Sequence, residues 1–137
     1  MAQTNVLVVE DESIVSKDIQ HSLKKLGYNV VGAANTGENA VKLAAEYMPD
    51  IILMDIMLKG EMNGIEAAEA IRKETNIPVI FLTAYADEST LARAKVTQPY
   101  GYIIKPFKEI DIHTSIEMAL YKHKKEAEVL KERDLLY

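Results

Sequence analysis

The residues able to do chemistry in this 137-residue chain sit at the ends of short apolar runs. Val6-Leu7-Val8-Val9 is followed by Glu10-Asp11-Glu12, and Ile51-Ile52-Leu53-Met54 by Asp55. Pro78-Val79-Ile80-Phe81-Leu82 leads to Thr83, and Gly101-Tyr102-Ile103-Ile104 to Lys105-Pro106. Carboxylates crowded into a small volume raise one another's pKa values, so Glu10, Asp11 and Asp55 are costly together unless a cation joins them. A sparse oxygen set with positions left for water suits Mg²⁺ better than a fully caged Ca²⁺. With the charge relieved, Asp55 becomes a nucleophile toward phosphorus. Lys105 can neutralise an added phosphoryl oxygen as a point charge, and the Thr83 hydroxyl can hydrogen-bond to another.

These groups converge only if the runs are neighbouring strands read at the same edge. A fifth apolar run, Tyr28-Asn29-Val30-Val31, completes the set, and longer segments of helical period separate all five. Several runs are apolar at consecutive positions, as strands covered on both faces of a parallel sheet must be. Val15, Ile19, Leu23 and Leu26 form one helical stripe that stops at Gly27, a residue suited to a left-handed cap. Val41, Ala44 and Tyr47 mark a second helix ending before Pro49, and Ile65, Ala68 and Ile71 a third from Gly64 to Thr75. Asp87 can cap a fourth helix with Leu91 and Ala94, and a fifth begins after Pro106. The alternation predicts an α/β fold, an open doubly wound five-stranded parallel sheet with five helices, the last extended at the C-terminus. Ligands of such sheets bind at the carboxyl ends of the strands, where Glu10, Asp11, Asp55, Thr83 and Lys105 fall.

Composition narrows the function classes. At 48% hydrophobic and 27% charged residues the chain is an ordinary globular domain, and its lack of cysteine removes disulfide scaffolds, zinc-thiolate sites and thiol nucleophiles. No apolar run approaches the roughly 18 residues of a membrane span, and the first residues carry no secretory signature, so a soluble cytoplasmic protein is expected. With 21 acidic against 16 basic residues the net charge is -5, which disfavours nucleic acid as a partner.

The motifs Val8-Val9-Glu10-Asp11-Glu12, Leu53-Met54-Asp55-Ile56-Met57, Asn63-Gly64, Phe81-Leu82-Thr83-Ala84 and Tyr102-Ile103-Ile104-Lys105-Pro106-Phe107 occur in this order. Together they make the chain resemble, from about residue 4 to 123, a two-component response-regulator receiver domain of the chemotaxis-regulator kind. It is similar to receivers that precede sensory domains in archaeal and bacterial signalling proteins. The resemblance implies a flavodoxin-like strand order 2-1-3-4-5, the order known for the chemotaxis receiver itself. It further implies that Asp55 accepts a phosphoryl group from a histidine kinase or phosphotransfer protein, and that the chain is a signalling domain rather than an enzyme. Mg²⁺ would be held by Asp11, Asp55, Glu10 and the backbone carbonyl of Met57, with Lys105 on the phosphoryl group. Thr83 and Tyr102 would form a switch pair that passes the change to a downstream protein. A cis peptide between Lys105 and Pro106 is also implied.

The chain departs from the commonest pattern at several points. Glu10 stands where aspartate is more usual, and the Lys59-Gly60-Glu61 stretch makes its loop one residue long. Met57 and Tyr85 are bulky enough to shield an acyl phosphate from water, which predicts a long-lived modified state. The best enzyme alternative, a Mg²⁺-dependent aspartyl-phosphate phosphatase of the haloacid dehalogenase class, would want a second aspartate at position 57, where Met57 stands. His21, His113 and His123 lack metal-ligand spacing and are expected at the surface. The expected organisation is a receiver over residues 1–123 and a helical extension over 124–137, too short for a DNA-binding effector. This leaves a single-domain regulator or the front of a longer sensor. Ile116, Leu120, His123, Ala127, Leu130, Asp134 and Tyr137 fall on heptad a and d positions, a weak seam through which a homodimer could pair.

Overall fold

Strands and helices alternate five times in the computed structural model, which describes residues 3–84 and 88–136. In chain order they are β1 (Asn5–Val9), α1 (Ser13–Lys25), β2 (Asn29–Ala34), α2 (Gly37–Tyr47) and β3 (Ile51–Asp55), then α3 (Gly64–Glu74), β4 (Val79–Thr83), α4 (Glu88–Val96), β5 (Gly101–Ile104) and α5 (Glu109–Leu136). All strand pairs are parallel, in the order β2-β1-β3-β4-β5. The doubly wound sheet expected from the alternation is the fold observed.

The hydrophobic pattern explains which strands lie where. β3 and β4 are buried at every position, and β1 at all but its first, because helices cover both faces of the sheet centre. Leu7, Val9, Ile52, Met54 and Phe81 face one core layer with Ala40, Ala44, Ala68 and Ile71 of α2 and α3. Val6, Val8, Ile51, Leu53, Ile80 and Leu82 face the other, with Ile19 and Leu23 of α1 and Ile112 and Ile116 of α5. β2 lies at an edge and runs three residues past the expected Val31. Gly32, Ala33 and Ala34 have little strand propensity of their own, and pairing with Leu7, Val8 and Val9 across a register shift recruits them.

Local signals hold the helix ends. The Gly27 N–H donates to the Lys24 carbonyl at 3.1 Å and the Tyr28 N–H to that of Leu23 at 2.9 Å, a paired closure that needs the positive φ of 94° at Gly27. Asn63 and Glu66 form a reciprocal capping box at the start of α3. Asp87, expected to cap α4, lies outside the described residues.

α5 is a single helix of 28 residues, about 42 Å long. Ile116 is fully buried against the sheet, Leu120 packs on the same layer, and His123 contacts the domain through the Asn76 carbonyl. The first three positions of the expected dimer seam are thus consumed by the protein's own core. This corrects the heptad reading: a stripe that repeats every three and four residues serves a sheet as well as a second helix. Ala127 and Leu130 of that seam are exposed, whereas Tyr137 and the Asp134 side chain lie outside the described residues. No described helix is long and apolar enough to cross a membrane.

Candidate functional site

Parallel strands bring their carboxyl ends to one edge, and the crossovers there create the site. Glu10 follows β1 directly, its N–H donating to the Ala34 carbonyl at 3.0 Å, so this carboxylate is fixed by the sheet rather than by a free loop. Asp55 is the last residue of β3, and the neighbouring Ile56 N–H is tied to the Leu82 carbonyl of β4 at 3.1 Å. Thr83 ends β4 and is buried, and its carbonyl accepts the Lys105 N–H at 2.7 Å just beyond β5. Lys105 precedes Pro106 through a cis peptide, as the resemblance implied.

These residues meet. One carboxylate oxygen each from Glu10, Asp11 and Asp55 lies within 4.8 Å of the others. The Lys105 ammonium bridges two of them, at 2.5 Å from Glu10 Oε1 and 3.2 Å from Asp55 Oδ2. Asp55 Oδ1 accepts the Met57 N–H at 3.0 Å, and Asp11 Oδ2 accepts the Lys59 N–H at 3.0 Å. Glu10 and Asp55 are only 2% and 5% exposed, so two buried carboxylates share one cation. Burial, reinforced by the adjoining Asp55, pushes the Glu10 carboxyl up to about 7 despite the Lys105 contact. Burial also works against the Lys105 charge, but its contacts with Glu10 and Asp55 prevail and hold its pKa above the ordinary lysine value. The site therefore carries more negative charge than its lysine balances, the condition that a second cation relieves. Oxygens on adjacent corners of an octahedral Mg²⁺ at about 2.0–2.1 Å lie roughly 3 Å apart, so this donor set would draw together around the ion.

Gly64 is a structural requirement of the site that the motif order did not explain. A Cβ on Gly64 would stand 2.0 Å from the Asp55 carbonyl oxygen and 2.9 Å from its carbonyl carbon, while the Gly64 N–H donates to the Ile56 carbonyl at 3.0 Å. The start of α3 thus presses directly on the backbone of Asp55. The available signal was a glycine placed immediately after the capping Asn63. The longer loop between β3 and α3 is anchored rather than loose. Leu58 is buried, Met62 packs on the core, and Gly60 makes the turn between them at φ 103°.

Two expectations meet a different outcome. The Met57 side chain is 70% exposed and excludes little water from the carboxylates, and Tyr85, the other expected shield, lies outside the described residues. His113 and His123 are contacts rather than idle surface groups: Nδ1 of His113 lies 3.0 Å from the Tyr28 hydroxyl, and Nε2 of His123 lies 2.7 Å from the Asn76 carbonyl oxygen. Periodicity could not show this, because the partners are 85 and 47 residues away.

Tyr102 lies on β5, its ring 6.2 Å from that of Phe81. Its hydroxyl is buried without a hydrogen-bond partner among the described residues, and burial raises its pKa. Leaving such a group unsatisfied costs about 1–3 kcal/mol, so this ring position is held at some expense.

Known proteins share this fold and much of this sequence. The family model described as the response regulator receiver domain matches residues 6–117. The transcriptional regulatory protein PdtaR of Mycobacterium tuberculosis is 35% identical over 115 residues, 84% of this chain and 56% of that protein. The chain thus spans about half the length of that curated relative. The signal receiver domain of a modulated diguanylate cyclase from Desulfovibrio desulfuricans superposes with a TM-score of 0.87 at 42% identity, covering 91% of this chain and 99% of the other. The receiver domain of a sensor histidine kinase from Pseudomonas aeruginosa, solved with a magnesium ion in its active-site cleft, gives a TM-score of 0.79 at 30% identity over 87% and 98%. A match across most of the chain, on the fold whose strand ends gather these carboxylates and this lysine, makes the chain a member of the response-regulator receiver domain family.

Proposed function

We propose that Asp55 is the phosphoacceptor, taking a phosphoryl group from a phosphohistidine on a partner histidine kinase or phosphotransfer protein. The observation that carries this reading is the Asp55 carboxylate held between the Met57 amide and the Lys105 ammonium at the mouth of the acidic cluster. A carboxylate oxygen of Asp55 forms the new O–P bond as the P–N bond of the donor breaks. The imidazole nitrogen keeps the electron pair and takes up a proton from solvent. Lys105 neutralises charge on the transferred group, and the Thr83 hydroxyl donates to one of its oxygens. Glu10, Asp11, Asp55 and the Met57 carbonyl are the residues that would hold Mg²⁺, which supplies further charge neutralisation when bound.

The donor needs a surface beside that mouth. A groove of about 650 Å³ lies there, bounded by Val15, Asp18, His21, Lys105, Pro106 and Phe107, and Ile14 stands exposed on the same helix. One phosphoryl group per chain, held and then lost, is signalling rather than turnover, and the family assignment leaves the phosphatase alternative without support. The Thr83–Tyr102 pair passes the change to a downstream protein, in the cytoplasm where such kinases present their phosphohistidine. The net charge of -5 gives no footing for nucleic acid. Pairing of two copies through α5 would be confined to the exposed positions beyond His123.

Incubation with acetyl phosphate and Mg²⁺ adds one phosphoryl mass to the protein and none to Asp55→Asn. A variant that still gains the mass would overturn the assignment.

A further inference from the structure

The junction between β2 and α2 carries none of the reacting groups, yet it bears on the acidic cluster twice. The Ala34 carbonyl, at the end of β2, accepts the Glu10 N–H at 3.0 Å. Three residues on, the buried Gly37 opens α2 behind its cap Thr36. Its backbone lies outside the left-handed region, so conformation does not call for glycine there. The reason for glycine is space: a Cβ on Gly37 would stand 2.8 Å from Met62 Cγ, 2.8 Å from the Met62 carbonyl oxygen and 3.0 Å from Met62 Cβ.

Met62 belongs to the loop between β3 and α3, whose amides orient two of the carboxylates. The Met57 N–H donates to Asp55 Oδ1 and the Lys59 N–H to Asp11 Oδ2, each at 3.0 Å. Lys59, Gly60 and Glu61 are exposed and hang between two anchors, the buried Leu58 and Met62, which packs on the core. The Met62 oxygen that approaches Gly37 is backbone, so no rotamer change clears a methyl group at position 37. Either the loop or the start of α2 must move. Asp11 depends on this loop more than its neighbours do. Glu10 and Asp55 also contact the Lys105 ammonium, whereas among the described residues the Lys59 N–H is the one donor to the Asp11 carboxylate.

We propose that Gly37 is a positioning residue for the acidic cluster: carrying no side chain, it lets Met62 lie against the first turn of α2, and this fixes the Lys59 amide on Asp11. An edge strand and the helix after it, which hold no reacting group, thereby set the geometry of a candidate metal ligand. The consequence for Mg²⁺ rests on the proposed metal role of Glu10, Asp11 and Asp55; the consequence for the loop does not. A residue that acts only through a ligand's orientation changes metal affinity without touching the metal.

Amide hydrogen exchange of the full chain without Mg²⁺ tests the loop, and a Mg²⁺ titration followed by calorimetry tests the cluster. In Gly37→Ala the Lys59 amide is expected to exchange about tenfold faster, the weight of one hydrogen bond. Mg²⁺ affinity falls about ten- to a hundredfold, as when a partner that orients a metal ligand is lost. Met62→Ala introduces no clash and moves both readouts in the same direction, so it decides the matter even if Gly37→Ala does not fold. Parental exchange at Lys59 in either folded variant, acceleration there only in step with Leu53 of the sheet core, or parental Mg²⁺ affinity beside a loosened Lys59 would each overturn the proposal. A parent that binds no Mg²⁺ would instead refute the metal reading, and the Lys59 exchange, measured without the ion, still decides whether Gly37 fixes the loop.

Discussion

The two ends of the central strands are built on opposite electrostatic terms. At the carboxyl end, Glu10, Asp11 and Asp55 crowd around one lysine, and burial makes the crowding expensive. At the amino end, polar groups are paired off: Arg72 with Gln98, Tyr100 with Glu126, His123 with Asn76, and the Asn5 N–H with Asp50. The first arrangement holds free energy that a cation can release, and the second holds little. A receiver needs both, because a site poised to change state must be mounted on a frame that keeps its shape while it does so.

The contrast can be broken most violently at Gly64. Gly64→Ala drives a methyl group into backbone atoms that no rotamer change can clear, so α3 or the end of β3 must move. A loss of at least about 4 kcal/mol is expected in denaturant unfolding. Phosphoryl uptake from acetyl phosphate should fall even under conditions where the variant remains folded. An alanine variant of parental stability would mean that the close approach at Asp55 is not a constraint.

A middle-sized effect separates the two ends by pH. Glu10 titrates near 7 in the folded protein against an ordinary value of 4.5, so between those values the native state holds a proton that the unfolded chain has released. Stability of the Mg²⁺-free protein should therefore be greatest below pH 4.5, as far as Glu10 governs it, and decline as pH rises through 7. At about 1.4 kcal/mol per pH unit the decline is at most about 3 kcal/mol. Glu10→Gln removes that component from the pH profile of unfolding, and saturating Mg²⁺ flattens it in the parent. A profile identical in parent and variant would show that Glu10 is not the strained group.

The smallest change is expected where polar groups are already satisfied. Tyr100→Phe removes one partly exposed hydrogen bond, with a cost to global stability of about 1 kcal/mol and no change in the rate of phosphoryl uptake at Asp55. Chemical denaturation together with a phosphorylation time course checks both halves. A drop in the uptake rate would tie the amino end to the chemistry more directly than a structural frame should be.

Much of this protein is legible in its sequence. Consecutive apolar residues such as Ile51-Ile52-Leu53-Met54 can be satisfied only between two covering layers, so a buried parallel strand was implied by the run itself, and Asp55 had to emerge at its end. Glu10, Asp11, Asp55 and Lys105 could be grouped because a parallel sheet delivers all its carboxyl ends to one edge, a consequence of connectivity that needs no distances. The residues forward of Val31 in β2 were not legible, since Gly32, Ala33 and Ala34 become strand only by pairing with β1.

Other features were decided by the tertiary structure alone. Periodicity marked Ile116, Leu120 and His123 as one face of a helix but could not say what covers it, because a sheet and a partner helix impose the same spacing. The contacts of Tyr28 with His113 and Glu117, and of Tyr100 with Glu126, join positions from 26 to 89 residues apart, and no local pattern encodes such a meeting. Which oxygen Lys105 prefers, and how far burial lifts Glu10, depend on ångström-scale placement in a medium of low polarity. The type and order of the chemical groups thus belong to the sequence, whereas their charge balance exists only once the chain has folded around them.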